Sequence, residues 1–454
     1  MLKKLCCAIL AGALMLTSAS DIAFADTKKD IDTKVKYNVY AEGKYSNWEG
    51  VSTVSQFKDE NGNYCYAYNN KGNVIIIKTK GGKTDKKITI KMPYKIFGAV
   101  TCDSEGNFYL VTGKENTTGN PSTESVFISK YDAAGNHLKT VGDNGSSSLA
   151  YYYGSGFYGK IPFDGGNCDV AINGDILAVN YAREMISGHQ SNSVFAVNTK
   201  TMTKVSAGNI YNSHSFGQRA IACGDKFVFA SEGDCFPRTF NIAVSDPKRG
   251  NCTEYDIFDF WVEKDAYNTY NMFVVNENFA HIGDLAAIDD HSVAFVGTSA
   301  KSLSSKAKKE TEQIFIQTFD ITKDLTQNSA YFTSGTRSGI AGNNGDQSVT
   351  NYGVKWVTNS KNVMPCAQLV ATKDGRLVVL YMKKNAKTGK YMGVYYKVLD
   401  KYGKSVKKEQ VYSKTALLNE CETPICVGNT VYWTANAESG KNADNMHVYK
   451  LQIE

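Results

Sequence analysis

The chain has 454 residues, of which 21% are charged, and 51 basic against 45 acidic side chains leave a formal net charge of +6. An excess this small, with both signs interspersed, excludes a basic nucleic-acid groove, and no internal apolar run approaches the length of a membrane span. With seven prolines and no long segment of 3.6-residue periodicity, helical architectures are set aside as well.

Residues 1–25 read as a secretory leader. Lys3 and Lys4 form a positive start, an apolar run follows from Leu5 to Leu16, and Ala23-Phe24-Ala25 matches the cleavage rule. The mature chain would begin at Asp26 as one domain spanning 26–454, secreted and without membrane insertion. Nine cysteines remain, an odd number at low density, which argues against a disulfide-built scaffold. Cys235 with Cys252 is the pair a hairpin would bring together, whereas Cys102, Cys223 and Cys426 read as small buried hydrophobes.

From residue 51 onward one pattern recurs: an apolar strand, a tight turn carrying Gly beside Asp or Asn, and a strand rich in β-branched and aromatic residues. The copies are 54–68, 100–113, 169–182, 219–232, 285–298, 368–382 and 423–435. Glycine supplies the positive φ that short hairpins require, and the flanking alternation has the period of a strand. Second hairpins follow at 75–90, 128–142, 195–205, 316–325 and 396–412. Two hairpins make a unit of four antiparallel strands, and seven units start near residues 51, 97, 165, 215, 280, 363 and 418. The surplus length falls in loops at 143–164, 255–279 and 326–362.

These units predict an all-β fold, a seven-bladed β-propeller of four-stranded antiparallel blades. A single blade cannot bury both its faces, and closing the ring covers them against neighbours. The last unit offers three strands, so its fourth is expected from Lys34–Tyr40, which would lock the ring with both chain ends in one blade.

Aligning the units places one polar residue at a matching point of several inner strands: Asp169, Arg219, Asp284, Gln368 and Glu422. Buried charges require partners, so the first expectation is a mutually satisfied ring with Arg219 bridging two carboxylates. The functional alternative is a channel-mouth ligand site. His189, His214 and His281 stand near strand starts; with Asp169 and Asp284 they would offer nitrogen and oxygen ligands to a divalent cation, although no spacing carries a metal signature. Tyr151, Tyr152, Tyr153 and Tyr158 cluster in YYYGSGFYG, in a long loop, where flat rings with polar edges suit sugars or a protein partner.

The segments GHQSNS, SHSFGQR and EGDCFPR are similar to blade segments of uncharacterised secreted bacterial seven-bladed propeller proteins. The resemblance is architectural; the chain lacks the repeat signatures of WD40, kelch and sialidase propellers. Together these readings point to a monomeric, non-catalytic secreted protein without an obligate cofactor. It would bind an extracellular polysaccharide or protein through His189, His214, Arg219, Asp169, Asp284, Gln368 and the four tyrosines. The alternative is a glycan-active hydrolase or lyase using Asp169, Asp284 and Glu422 as acid and base.

Overall fold

Seven clusters of buried apolar side chains hold this protein together, one at each junction between neighbouring four-stranded sheets. The computed structural model describes residues 31–36, 40–41, 51–146, 154–164, 167–208, 210–233, 239–259, 279–301, 311–323, 325, 336–340, 348–436 and 445–454. No helix among them is long and apolar enough to cross a membrane.

The seven sheets form a seven-bladed β-propeller. Blade one comprises Val54–Lys58, Tyr64–Asn70, Asn73–Lys80 and Lys83–Lys91, in that order from the channel outward. Its second strand shows why the strands read as nearly continuous apolar runs. Tyr64, Tyr66 and Tyr68 pack toward blade seven, against Tyr432 and Met446. Cys65 and Ala67, on the alternate face, pack toward blade two with Phe97 and Phe108. A strand buried on both faces loses the polar alternation of a half-exposed one.

The ring closes through the N-terminus. Ile31–Lys36 pairs antiparallel with Asn445–Gln452 and completes the last blade, outside Thr430–Asn436 and Ile425–Val427. The closing strand thus lies three residues earlier than the sequence predicts. Tyr40–Ala41, at the end of the expected segment, instead pairs with Val51–Ser52 at the approach to blade one.

Two other elements differ from expectation. The segment 316–325 does not form a hairpin. After the third strand of blade five, Gln313–Asp320, the chain turns, and Ile321 and Leu325 enter the apolar junction with blade four. The fourth strand is Lys355–Trp356, where Trp356 meets Phe315 edge-on at 5.8 Å. The loop 143–164 contributes a strand, Gly159–Pro162, to blade three. It pairs with the far end of Ile176–Met185 and gives that blade a fifth member.

Antiparallel alternation sorts the connections. Every turn between second and third strands, and every link from one blade to the next, emerges on the same face. The link 143–164 and the turns between second and third strands therefore share one rim with the mouth of the channel, whereas the connection between the third and fourth strands of blade five starts and ends on the opposite face.

Candidate functional site

Each blade offers one inner-strand position near the channel mouth: Ser55, Ala99, Asp169, Arg219, Asp284, Gln368 and, just ahead of its inner strand, Thr423. Inner strands diverge around a channel, so their backbone N–H groups lack a ladder partner on that side and need another acceptor. The preceding blade supplies it repeatedly, including through the Glu422 carboxyl, which accepts from the backbone of Gln56. Ser55 Oγ accepts from Val100 N at 2.9 Å, Asp169 Oδ2 from Ala220 N at 2.8 Å, and Asp284 Oδ2 from Leu369 N at 3.2 Å.

The remaining polar groups converge on a single segment, Asn419–Thr423, which leads into blade seven. Arg219 Nη2 donates to the backbone oxygen of Glu420 at 2.6 Å, and Asn167 Nδ2 to that of Cys421 at 2.9 Å. Gln368 Nε2 donates to the carbonyls of Asn419 and Glu422. Thr423 Oγ1 donates to Asp284 Oδ1 at 2.7 Å, while its own carbonyl accepts from Gln56 Nε2 at 3.3 Å. Blades one, three, four, five and six thus grip one stretch of blade seven, which plugs the channel mouth.

Arg219 and Asp284 are the pins of this plug. Arg219 Nε lies 2.7 Å from Asp284 Oδ1, and the two side chains are 2% and 0% exposed. Arg219 thus meets the Asp284 carboxylate and two backbone carbonyls, those of Gln218 and Glu420. Glu422, one residue ahead of the ring position held by Thr423, faces Asp169. Burial, then the charge of Asp169, holds the Glu422 carboxyl well above its ordinary range.

Asp169 is enclosed by the surrounding blades and only partly exposed. Burial raises its pKa to about 6, against hydrogen bonds from Ala220 and Val170 and the charge of Arg219. This gives a first prediction. Unfolded, the group releases its proton near pH 3.8, whereas the fold retains it to about 6. The native state binds the extra proton in that window, so stability falls as pH rises through it, by up to about 1.4 kcal/mol per pH unit. Urea unfolding of Asp169→Asn from pH 4 to 7 is expected to lack this component; an unchanged slope would refute it.

Tyr158, His189 and His214 lie apart from the plug, on the rim of blades three and four. The strands Ile176–Met185 and Gln190–Asn198 project past their inner partner Cys168–Asn173 and carry the turn bearing His189. His189 Nε2 lies 2.7 Å from Ser213 Oγ, which lies 3.3 Å from His214 Nδ1, and the two imidazoles are 4.3 Å apart. His214 has φ +44°, a left-handed conformation anchored by its N–H to Gln190 O. The segment Gly154–Tyr158 joins this cluster: Ile186 N donates to Tyr158 O and Ser187 N to Gly156 O. Phe157 meets Tyr211 at 5.7 Å. Tyr151, Tyr152, Tyr153 and Cys235 lie outside the described residues.

His281 opens the inner strand of blade five, opposite Thr298. Among the described residues no three His, Cys, Asp or Glu side chains are gathered to hold a metal ion. Cys252 is a free cysteine whose Cβ lies close to Gly208, and the partner expected for it, Cys235, lies outside the described residues. Burial pushes the thiols of Cys65, Cys102, Cys223 and Cys252 up to about 12, which makes them poor nucleophiles.

One residue beneath this rim escaped the sequence reading. Arg183 is fully buried; its Nε lies 3.2 Å from Ser191 Oγ, and among the described residues its Nη2 reaches the sulfur of Met185 at 3.8 Å and its Nη1 has no hydrogen-bond partner. Burial lowers its pKa, opposed in part by Tyr181, Tyr211 and Asp143.

No protein-family model matches this chain, and no curated protein matches it. Solved structures share the strand arrangement at low similarity. A protein of unknown function from Dyadobacter fermentans is 10% identical with a TM-score of 0.40, over 82% of this chain and 99% of that one. A polysaccharide lyase, a PL25 ulvan lyase bound to -[GlcA(1-4)Rha3S]-, is 9% identical with a TM-score of 0.40, over 74% and 76%. A prolyl endopeptidase is 10% identical with a TM-score of 0.45, over 88% of this chain and 48% of that one, so this chain spans about half of it. At these values the likenesses carry nothing about ligand or reaction.

Proposed function

We propose that this chain is a secreted, non-catalytic binding protein that takes an extracellular polysaccharide or protein on the rim of its propeller. The observation that carries this reading is the plug. Asp284 spends its oxygens on Arg219, Thr423 and Leu369, and Asp169 on Ala220 and Val170. An acid–base pair for glycan cleavage needs carboxylates facing a bond in an open site; here cleavage by Asp169, Asp284 and Glu422 would require expelling Asn419–Thr423 first. The rim of blades three and four, by contrast, presents imidazoles and aromatic rings beside each other. Tyr158, His189 and His214 are the contacts we assign to it, and a cation bound there would draw on the two imidazoles. The leader-like residues 1–25 support export, and bacterial origin rests on the same leader and on the blade segments quoted above.

A glycan array and an extracellular-protein pull-down with residues 26–454 test this. Binding is expected to weaken about tenfold in His189→Ala and in His214→Ala, the scale of one or two lost hydrogen bonds, with the ligand recovered intact. Recovery of shortened glycan, abolished by Asp169→Asn, would overturn the non-catalytic reading.

A further inference from the structure

Positive charge is concentrated in two stretches: residues 383–408, with nine lysines and one aspartate, and residues 71–95. Residues 71–95 contain eight lysines and one aspartate, a net +7 against +6 for the whole molecule. The fold gathers part of this excess into a cleft of about 360 Å3 on the loop-bearing rim, where blade one hands over to blade two. Lys71 sits in the two-residue turn between Asn70 and Asn73, with φ +52° followed by Gly72 at +83°. Lys91, at the end of the outer strand, is opposite Asn73. Met92 N donates to Gly72 O at 2.9 Å, which ties the link carrying Tyr94 and Lys95 to the same turn.

No carboxylate lines this cleft, and among the described residues none of Lys71, Lys91 and Lys95 is ion-paired. Lys78, toward the other end of the same blade, differs: it is held by Glu60 at 2.6 Å and Asp59 at 3.4 Å. The aromatic wall is fixed. Tyr94 stacks on buried Phe127 with ring centroids 3.7 Å apart, and Lys114 lies 5.6 Å and 5.1 Å from the two rings. The cationic surface continues along the exposed outer strand. Lys87 and Lys91 point the same way, roughly 13 Å apart at the rise of an extended strand.

From this geometry we infer a second binding site, for an acidic polysaccharide: Lys71, Lys91 and Lys95 take carboxylate or sulfate groups while a sugar ring lies against Tyr94. Three ammonium groups without counter-charge repel one another and attract a polyanion. Cations repeating along a strand match a polymer of repeating charge better than a single small ion. One pre-stacked ring suits a sugar, whereas a nucleic-acid strand requires a succession of stacking platforms. The inference extends the binding function proposed above to a separate part of the rim.

Four probes test it on residues 26–454: polygalacturonate for carboxylates, chondroitin sulfate for sulfates, dextran as the neutral polymer and a 20-nucleotide single-stranded DNA. At least one acidic polysaccharide is expected to bind tenfold or more tightly than dextran, and to weaken at least tenfold between 50 and 200 mM NaCl. Which of the two binds distinguishes carboxylate from sulfate recognition. Lys71→Glu/Lys91→Glu/Lys95→Glu should lose that binding without a change in melting temperature, because all three side chains are exposed. Acidic polymers held equally by the triple variant, or no more tightly than dextran, would overturn the inference, and so would DNA bound more tightly than either. A ligand lost in His189→Ala but kept by the triple variant would uphold the blade three–four rim and discard only the lysine cleft.

Discussion

Arg219→Ala is expected to lower the stability of the protein by about 3–5 kcal/mol, the scale for stripping one partner from a buried ion pair. The cost comes from what remains. Asp284 would keep Thr423 and the Leu369 N–H but lose its guanidinium partner, while the carbonyls of Glu420 and Gln218 would lose a donor. Buried groups left in that state retain their full desolvation penalty. A double variant, Arg219→Met/Asp284→Leu, should recover only part of the loss. It removes both charges but leaves the Leu369 N–H and the Thr423 hydroxyl without an acceptor. Urea unfolding of the three proteins provides the measurement. An Arg219→Ala variant within 1 kcal/mol of the parent would mean that the plug contributes little.

Arg183→Met is expected to act in the opposite direction, raising stability by about 1–2 kcal/mol. A fully buried guanidinium with one neutral hydroxyl, one thioether and one idle nitrogen has surrendered its hydration for little return. Replacing buried charges with apolar side chains of similar volume is commonly neutral or stabilising, by about 1–4 kcal/mol. The smaller part of that range fits here, because methionine is shorter and leaves a small void. Thermal and urea unfolding would decide it, and a marked loss of stability would show that the Ser191 contact outweighs desolvation. Arg183 also stands below the His189–Ser213–His214 cluster, through Ser191, whose backbone bridges Ser213. A gain in stability accompanied by weaker binding in the glycan array would tie this buried charge to the rim; a gain with unchanged binding would leave it a cost carried by the fold alone.

The architecture was legible because its signals are local. Gly-Asp and Gly-Asn turns occur where the chain must adopt positive φ, as at Gly174 and Gly224, both followed by acidic residues. Strand period does the rest: six of the seven unit starts fall within four residues of the observed inner strands, and the last, 418, precedes Ile425 by seven. Blade five shows where this reasoning fails. The run 316–325 has the polarity pattern of a hairpin, yet Ile321 is drawn into the junction with blade four, and that junction lies outside any sequence window.

The site divides in the same way. Asp169, Arg219, Asp284 and Gln368 were correctly aligned on inner strands, because they share a register with their glycine turns. That they close on Asn419–Thr423 was not legible. Asn167 lies 254 residues from Cys421 and Arg219 lies 201 residues from Glu420, and the plug is a short polar stretch without period or motif. The meeting of His189 with His214 depends likewise on how far two strands of blade three project beyond the third.

By itself, then, the amino-acid order determined the number of blades, the antiparallel pairing within each and the return of the N-terminus to the last sheet. These follow from backbone sterics and from the need to cover two apolar faces, which neighbouring residues already express. The tertiary structure alone decided which polar groups satisfy one another and which stay open on the rim. Hydrogen bonds and ion pairs act over a few ångströms, and only ring closure brings residues hundreds of positions apart within that reach.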